Sequence, residues 1–322
     1  MSRISNFCVR LRRQIDGKII PAVPVPFDAR GRIHWGAQER YAQWMARQPI
    51  AGVAIWVHTG RGLFLTPRQR ADVFRSWRDA LGKERVIVTG VGARKGTSNI
   101  IGESVKMGVE GATLGADAFL VYAPVGFRGG PDQDRKIVRH HQAMANLGVP
   151  LILFYLYEAA GGISYSVPLL KRLFSIEGVA GIKMATLDSV MTYQDVSELI
   201  QRYFPDQMLV TGEDRMLGYT FMRGARSALI GMGSACTRLQ TQMVEAWFKG
   251  ASSRFLKLSG KVDAFAEATF IHPMEGYIQR MLWALALSKI IPMEACHDPW
   301  GPKIPRSEFE NLKKVMRKIG EI

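Results

Sequence analysis

The sequence predicts a (β/α)8 barrel followed by a helical C-terminal extension. Three observations carry this expectation. Eight short apolar runs recur along the first 232 residues, most of them rich in Val, Ile and Leu without strict alternation. Strands buried on both faces of a parallel sheet read in this way. Amphipathic stretches separate the runs, giving strand–helix units in series. A doubly wound sheet is the alternative, but it would usually carry a glycine-rich phosphate turn after an early strand. No GxGxxG or GxxxxGKS occurs; GVGARKGTS (90–98) matches neither pattern and is expected to be a loop.

The expected strands are, in order, IIPAVPVPF (19–27), GVAIWV (52–57), RVIVTGVG (85–92), AFLVYAP (118–124), VPLILFYLY (149–157), VAGIKM (179–184), QMLVTG (207–212) and SALIGM (227–232). Between the first three lie AQERYAQWMARQ (37–48) and PRQRADVFRSWRDALG (67–82), with apolar residues at three- and four-residue spacing. Thr66-Pro67 is a strong helix start, an N-cap followed by proline at the first helical position. Helices are expected at 98–107, 133–147, 166–175, 189–203 and 215–224 in the remaining intervals. After Ala235 the rhythm changes, and 237–321 reads as several helices with no strand between them. The expected division is therefore a barrel over 1–236, with a short N-terminal segment, and an extension over 237–322.

Composition narrows the function classes. The chain has 322 residues, 47% hydrophobic and 22% charged, an ordinary globular balance able to bury a large core. No run of 18 apolar residues suggests a membrane span, and MSRISNFCVRLRRQ lacks the apolar stretch of a secretory signal. Cys8, Cys236 and Cys296 lie far apart with no CxxC pair, which fits a reducing cytoplasm. The net charge is +15; basic residues cluster at the two ends, at Arg10, Arg12, Arg13 and Lys18 and at Lys313, Lys314, Arg317 and Lys318, and are scattered elsewhere. Without aromatic interleaving it reads as a solvated surface, so neither nucleic acid nor membrane is expected as a partner. His140-His141, near Arg135 and Arg139, reads as a solvated helix face, and no HxH or HExxH pattern points to a metal.

In such barrels the reacting groups sit at the C-terminal ends of strands. Those ends supply His58-Thr59-Gly60-Arg61, Tyr122, Tyr155 and Tyr157, Lys183, Gly212-Glu213-Asp214 and Ile230-Gly231. A lysine pointing into a barrel mouth is partly desolvated, which lowers its pKa. The neutral amine can attack a ketone and form an imine, an electron sink. A nearby tyrosine can move the protons, and hydroxyls with backbone N–H groups can hold a carboxylate. Each residue also has a plainer reading: Lys183 closing a strand, Tyr155 in the core, His58 hydrogen-bonded structurally, Thr59 completing a turn.

The motifs resemble the dihydrodipicolinate synthase and N-acetylneuraminate lyase family of class I aldolases. They run in order from about residue 19 to 315: PAVPVPFDARGRIH, HTGRGLFLTPRQR, GADAFLVYAP, FYLYEAAGG, GIKMATLDS, VTGED and IGMGSA. The GIK-x-x-T element is the most specific. The resemblance implies that Lys183 forms an imine with pyruvate or another 2-keto acid. It implies that Tyr155, 28 residues earlier, shuttles protons, with Phe154 or Tyr157 competing for that slot if the register differs. His58 would stand where the family has a hydroxyl relay. Thr59 would bind the keto-acid carboxylate and Thr186 would shape the pocket. Gly212, Glu213 and Asp214, with Ile230, would face the rest of the substrate. No metal or organic cofactor is implied, and a homotetramer or dimer is expected.

The departures point away from dihydrodipicolinate synthesis itself. The strand-two loop usually reads Gly-Ser/Thr-Thr-Gly-Glu; here it is Val57-His58-Thr59-Gly60-Arg61. Tyr-Asn-x-Pro after strand five is replaced by Tyr155-Leu156-Tyr157-Glu158, and the semialdehyde-binding arginine falls near Ala160. Pro124-Val125-Gly126 replaces an aromatic pair. The expected function is a cytoplasmic Schiff-base lyase, aldolase or dehydratase acting on a 2-keto acid. A weakened keto-acid-binding or regulatory protein on the same scaffold is the alternative, and a binder of anionic polymers a third.

Overall fold

A computed structural model describes residues 2–187 and 189–322. Eight parallel strands form the barrel: β1 Ile19–Pro21, β2 Gly52–Ile55, β3 Val86–Val91, β4 Ala118–Tyr122, β5 Leu151–Leu156, β6 Val179–Ala185, β7 Met208–Thr211 and β8 Ser227–Ile230. Their order is β1-β8-β7-β6-β5-β4-β3-β2. The ring closes where Ala22 bridges Ala54 in parallel and the Val23 N–H donates to the Ala54 carbonyl at 3.1 Å.

The helices are α1 Arg3–Ile15, α2 Trp35–Ala46, α3 Pro67–Leu81, α4 Ile100–Leu114, α5 Gln133–Ala145, α6 Val167–Phe174, α7 Val190–Tyr203, α8 Leu217–Met222, α9 Thr237–Phe248, α10 Ser252–Thr269, α11 Tyr277–Leu287 and α12 Arg306–Ile319. At the expected start of α3, Thr66 and Gln69 form a capping box, with Pro67 at the first position. The division expected at 236 falls between β8 and its helix. Because α9 packs on β1, the eighth strand–helix unit runs to Phe248. The extension proper is α10–α12. In α12 the buried stripe Phe309, Leu312, Met316 and Ile319 leaves Lys314, Arg317 and Lys318 in solvent.

Two elements depart from expectation. The basic N-terminal segment forms α1, whose Cys8, Leu11 and Ile15 are buried with the barrel-interior residues Ile20, Val86, Met208 and Leu229. It closes the N-terminal end of the barrel, opposite the mouth at the C-terminal strand ends. His140 and His141 are fully buried, so the expectation of a solvated face was wrong. Burial pushes both imidazoles down, to about 3 and about 4, leaving them neutral.

The interior is set by alternation along each strand. On β5, Ile152, Phe154 and Leu156 point inward, and Leu151, Leu153 and Tyr155 point outward to the helices. On β6 the alternation is interrupted. Val179 pairs with Leu151 but Gly181 pairs with Ile152, so Ala180 is an extra residue. Such a bulge re-aims every side chain beyond it. Ala180 still faces inward, and three residues later Lys183 does too, opposite Phe154. A Cβ on Gly181 would lie 2.2 Å from the Met208 carbonyl oxygen, so β7 can pass this close only at glycine.

Candidate active site

Lys183 stands on the inner face of β6, 7% exposed. Gly212, after β7, leaves the space its stem occupies: a Cβ there would lie 2.3 Å from Lys183 Cε. The Phe154 ring centroid is 4.2 Å from Nζ. Burial lowers the lysine pKa, opposed first by Asp214 and then by Glu213. Burial also raises the Asp214 carboxyl, opposed by backbone N–H donors and by Lys183. The Met232 N–H donates to Asp214 Oδ1 at 2.7 Å and holds the carboxylate in the pocket that Lys183 also lines. The ammonium and carboxylate are thus drawn toward each other in protonation, the setting in which an amine becomes nucleophilic.

Tyr155 does not face this amine. It lies on the outer face of β5 against Tyr165, with ring centroids 5.2 Å apart. The bulge explains the correction. Its extra residue makes 29 positions, not 28, the interval that lands opposite Lys183, and Phe154 occupies that place. Tyr157, half-buried, lines the lysine pocket at its rim. Ile230 is also corrected: fully buried, it packs in the cluster between barrel and helices, and the next residue, Gly231, lines the pocket instead. Glu213 and Asp214 diverge where the chain leaves β7 and enters a 3-10 turn that begins at Asp214. Glu213 turns away from the cavity, accepting from the Thr186 and Leu187 N–H groups at 2.6 and 2.8 Å and from the Thr186 hydroxyl at 2.8 Å. Thr186 and Glu213 therefore pin the loop after Lys183, and only Asp214 reaches the pocket.

The strand-two loop is tied to the extension. Arg61 makes a two-pronged ion pair with Asp298 at 3.0 and 2.6 Å and a third bond to Glu275 at 3.0 Å. His58 Nε2 lies 2.8 Å from the same Glu275. Burial would raise Glu275, but His58 and Arg61 outweigh it and hold the carboxyl at about 2. Thr59 Oγ1 lies 2.8 Å from the hydroxyl of Tyr277, the first residue of α11. Tyr277 stacks on Phe270 at 4.7 Å and on His58 at 6.3 Å. Sequence reasoning missed Glu275, Tyr277 and Asp298. Their only signal was the reversed charge at Arg61, which demanded buried acidic partners from elsewhere in the chain.

Two connected spaces open at the mouth. A small one of about 40 Å³ lies between Lys183, Thr59, Asp214 and Tyr277. Through Val57, His58, Phe154 and Leu156, which border both, it adjoins a cleft of about 790 Å³. The cleft walls include Phe64, Ile100, Tyr122, Val125 and Trp300. Phe64 and Trp300 stack at 5.1 Å, and Ala160 is on the wall where the semialdehyde arginine was expected. Among the described residues no three His, Cys, Asp or Glu side chains converge to hold a metal ion.

A profile of the dihydrodipicolinate synthetase family matches residues 16–319. The 4-hydroxy-tetrahydrodipicolinate synthase of Synechococcus sp. (strain JA-2-3B'a(2-13)) is 23% identical over 309 residues, covering 94% of each chain. Among solved structures, a prophage protein of the dihydrodipicolinic acid synthase family from E. coli K12, in complex with pyruvate, superposes with a TM-score of 0.83. It is 17% identical, covering 95% of this chain and 99% of that one. The N-acetylneuraminate lyase of Mycoplasma synoviae gives 0.75 at 15% identity, covering 95% and 98%. With the match running from before β1 to the end of α12, the chain belongs to the dihydrodipicolinate synthetase family.

Proposed function

We propose that the protein is a Schiff-base lyase of a 2-keto acid, with Lys183 as the nucleophile. The observation that carries this reading is the buried lysine itself, re-aimed into the barrel mouth by the β6 bulge and sharing its pocket with Asp214. Thr59 and the backbone around it hold the keto-acid carboxylate beside the amine. Attack at C2 gives an imine that draws electrons from the adjacent carbon–carbon bond, so cleavage, addition and dehydration share one intermediate. The pyruvate complexes of structural relatives fit a pyruvate-derived substrate.

The remainder of the substrate occupies the large cleft, whose walls favour an apolar body over a sugar acid. Buried hydroxyls would need convergent polar partners; Arg61 is spent on Asp298 and Glu275 and Arg94 on the Leu63 and Phe64 carbonyls, which leaves Lys95, Thr97 and Ser98 as polar groups on a wall otherwise rich in apolar side chains. Ala160, in place of an arginine on the cleft wall, supports an activity other than dihydrodipicolinate synthesis. The test is pyruvate consumption with a panel of aldehydes. Turnover with apolar aldehydes and none with aspartate semialdehyde is expected; the reverse ranking contradicts the reading.

Phe154 favours one second reading, a keto-acid-binding protein of weakened activity, because a phenyl ring moves no protons. An imine adduct with pyruvate, but no turnover across the panel, would select it.

A further inference from the structure

Imine chemistry moves protons at two points, and Phe154 cannot serve either. Among the pocket-lining side chains, a hydroxyl that can serve is Tyr277, which borders the same small space as Lys183 and Asp214. Its ring is held on one side by Phe270 and on another by His58, and its hydroxyl is fixed by Thr59 at 2.8 Å. A Cβ on Gly231 would lie 2.9 Å from the Tyr277 ring and 3.5 Å from Thr59 Oγ1, so the end of β8 is glycine where the tyrosine enters. Tyr277 feels the charges of Glu275, Arg61 and Asp214, and burial keeps its phenol protonated, fit to donate.

Resting on the imine reading above, we propose that Tyr277, supplied by the C-terminal extension and oriented by Thr59, is the proton-transfer residue of this site, in the role that a tyrosine on β5 would otherwise fill. The ammonium proton of Lys183 first passes to Asp214 by way of water in the pocket that both side chains line. The neutral amine then adds to C2 of the keto acid, and the carbonyl π pair moves to oxygen. That oxygen takes the Tyr277 proton, and the tyrosinate takes back a proton from the newly bonded nitrogen, leaving a neutral carbinolamine. The C2–O bond then breaks as the nitrogen lone pair forms C=N. The departing oxygen leaves as water with a proton from Tyr277, which Asp214 resupplies. The product is an iminium cation facing the Asp214 carboxylate. Protons and charge balance without an outside reagent.

The experiment is rapid-quench borohydride trapping with pyruvate, read by mass spectrometry at Lys183, alongside exchange of the pyruvate methyl protons in D2O by NMR. Tyr277→Phe should slow both by about 100-fold, the lower range for general acid–base catalysis, while reaching the same final adduct. Adding Phe154→Tyr to that variant returns a hydroxyl opposite Nζ and should restore much of the rate, which a purely structural role for Tyr277 does not predict. Wild-type protein that traps no 2-keto acid overturns the imine reading and this assignment together. Wild-type trapping with an unchanged rate in Tyr277→Phe, or a slowed rate that Phe154→Tyr leaves unaltered, overturns this assignment alone.

Discussion

A lysine ammonium held out of water in one pocket with a buried carboxylate gives up its proton more readily than a solvated one, and Lys183 and Asp214 share such a pocket. The sign of the pH dependence follows. Burial lowers the lysine pKa, so the neutral amine grows as pH rises and is complete before the ordinary lysine value of about 10.5. Trapping rates with pyruvate should rise with pH and level off below that value; a rate still climbing above it contradicts a buried amine. Gly212 bears on the same atom. Gly212→Ala should cut trapping by about tenfold or more beyond any loss of stability, because the added Cβ meets Lys183 Cε as well as the Met184 carbonyl oxygen and spoils the attack geometry. Thermal unfolding and trapping measured together separate the two effects.

The lysine was legible in the sequence because it follows an apolar run within a specific motif. Its aromatic neighbour was not. Phe154 and Tyr155 are adjacent and alternate in or out, and a single bulge residue, Ala180, decides which one faces Nζ. A one-residue change of register exchanges the two faces of a strand, and no periodicity in VAGIKM announces the bulge.

At the scale of elements, the strand-two loop and the extension are one unit. Arg61 and Asp298 are 6% and 1% exposed, so their ion pair is buried. Removing one partner strands the other charge, which costs about 3 kcal/mol or more. Arg61→Ala should lower the urea midpoint accordingly, and an unchanged midpoint would show that the pair is dispensable. Glu275 gives a pH signature. Its folded pKa of about 2 lies below the ordinary 4.5, so its contribution to stability is present above 4.5 and lost as pH falls through 2. Glu275→Gln should flatten the acid limb of stability between those values. The eight strands and most helices were readable from periodicity, since each is a local pattern. The network was not, because 218 positions separate Thr59 from Tyr277 and 237 separate Arg61 from Asp298.

Across the whole molecule, the two ends of the chain close the two ends of the barrel. The extension supplies Glu275, Tyr277, Asp298 and Trp300 to the mouth, and α1 fills the floor. The basic residues of α1 and α12 face solvent around buried apolar stripes, so these two clusters sit on the outer surface of the molecule. Leu11, 2% exposed, is buried in the floor. Leu11→Ala should destabilise the fold by about 3 kcal/mol while leaving trapping at Lys183 unchanged under native conditions. A loss of trapping would mean that the floor also positions the site.

One measurement bears most directly on the central claim. Borohydride reduction in the presence of pyruvate, followed by peptide mass spectrometry, should place the reduced adduct on the Lys183 peptide and on no other lysine. The adduct should vanish in Lys183→Ala. An adduct on a different lysine, or none with any 2-keto acid, would contradict the account.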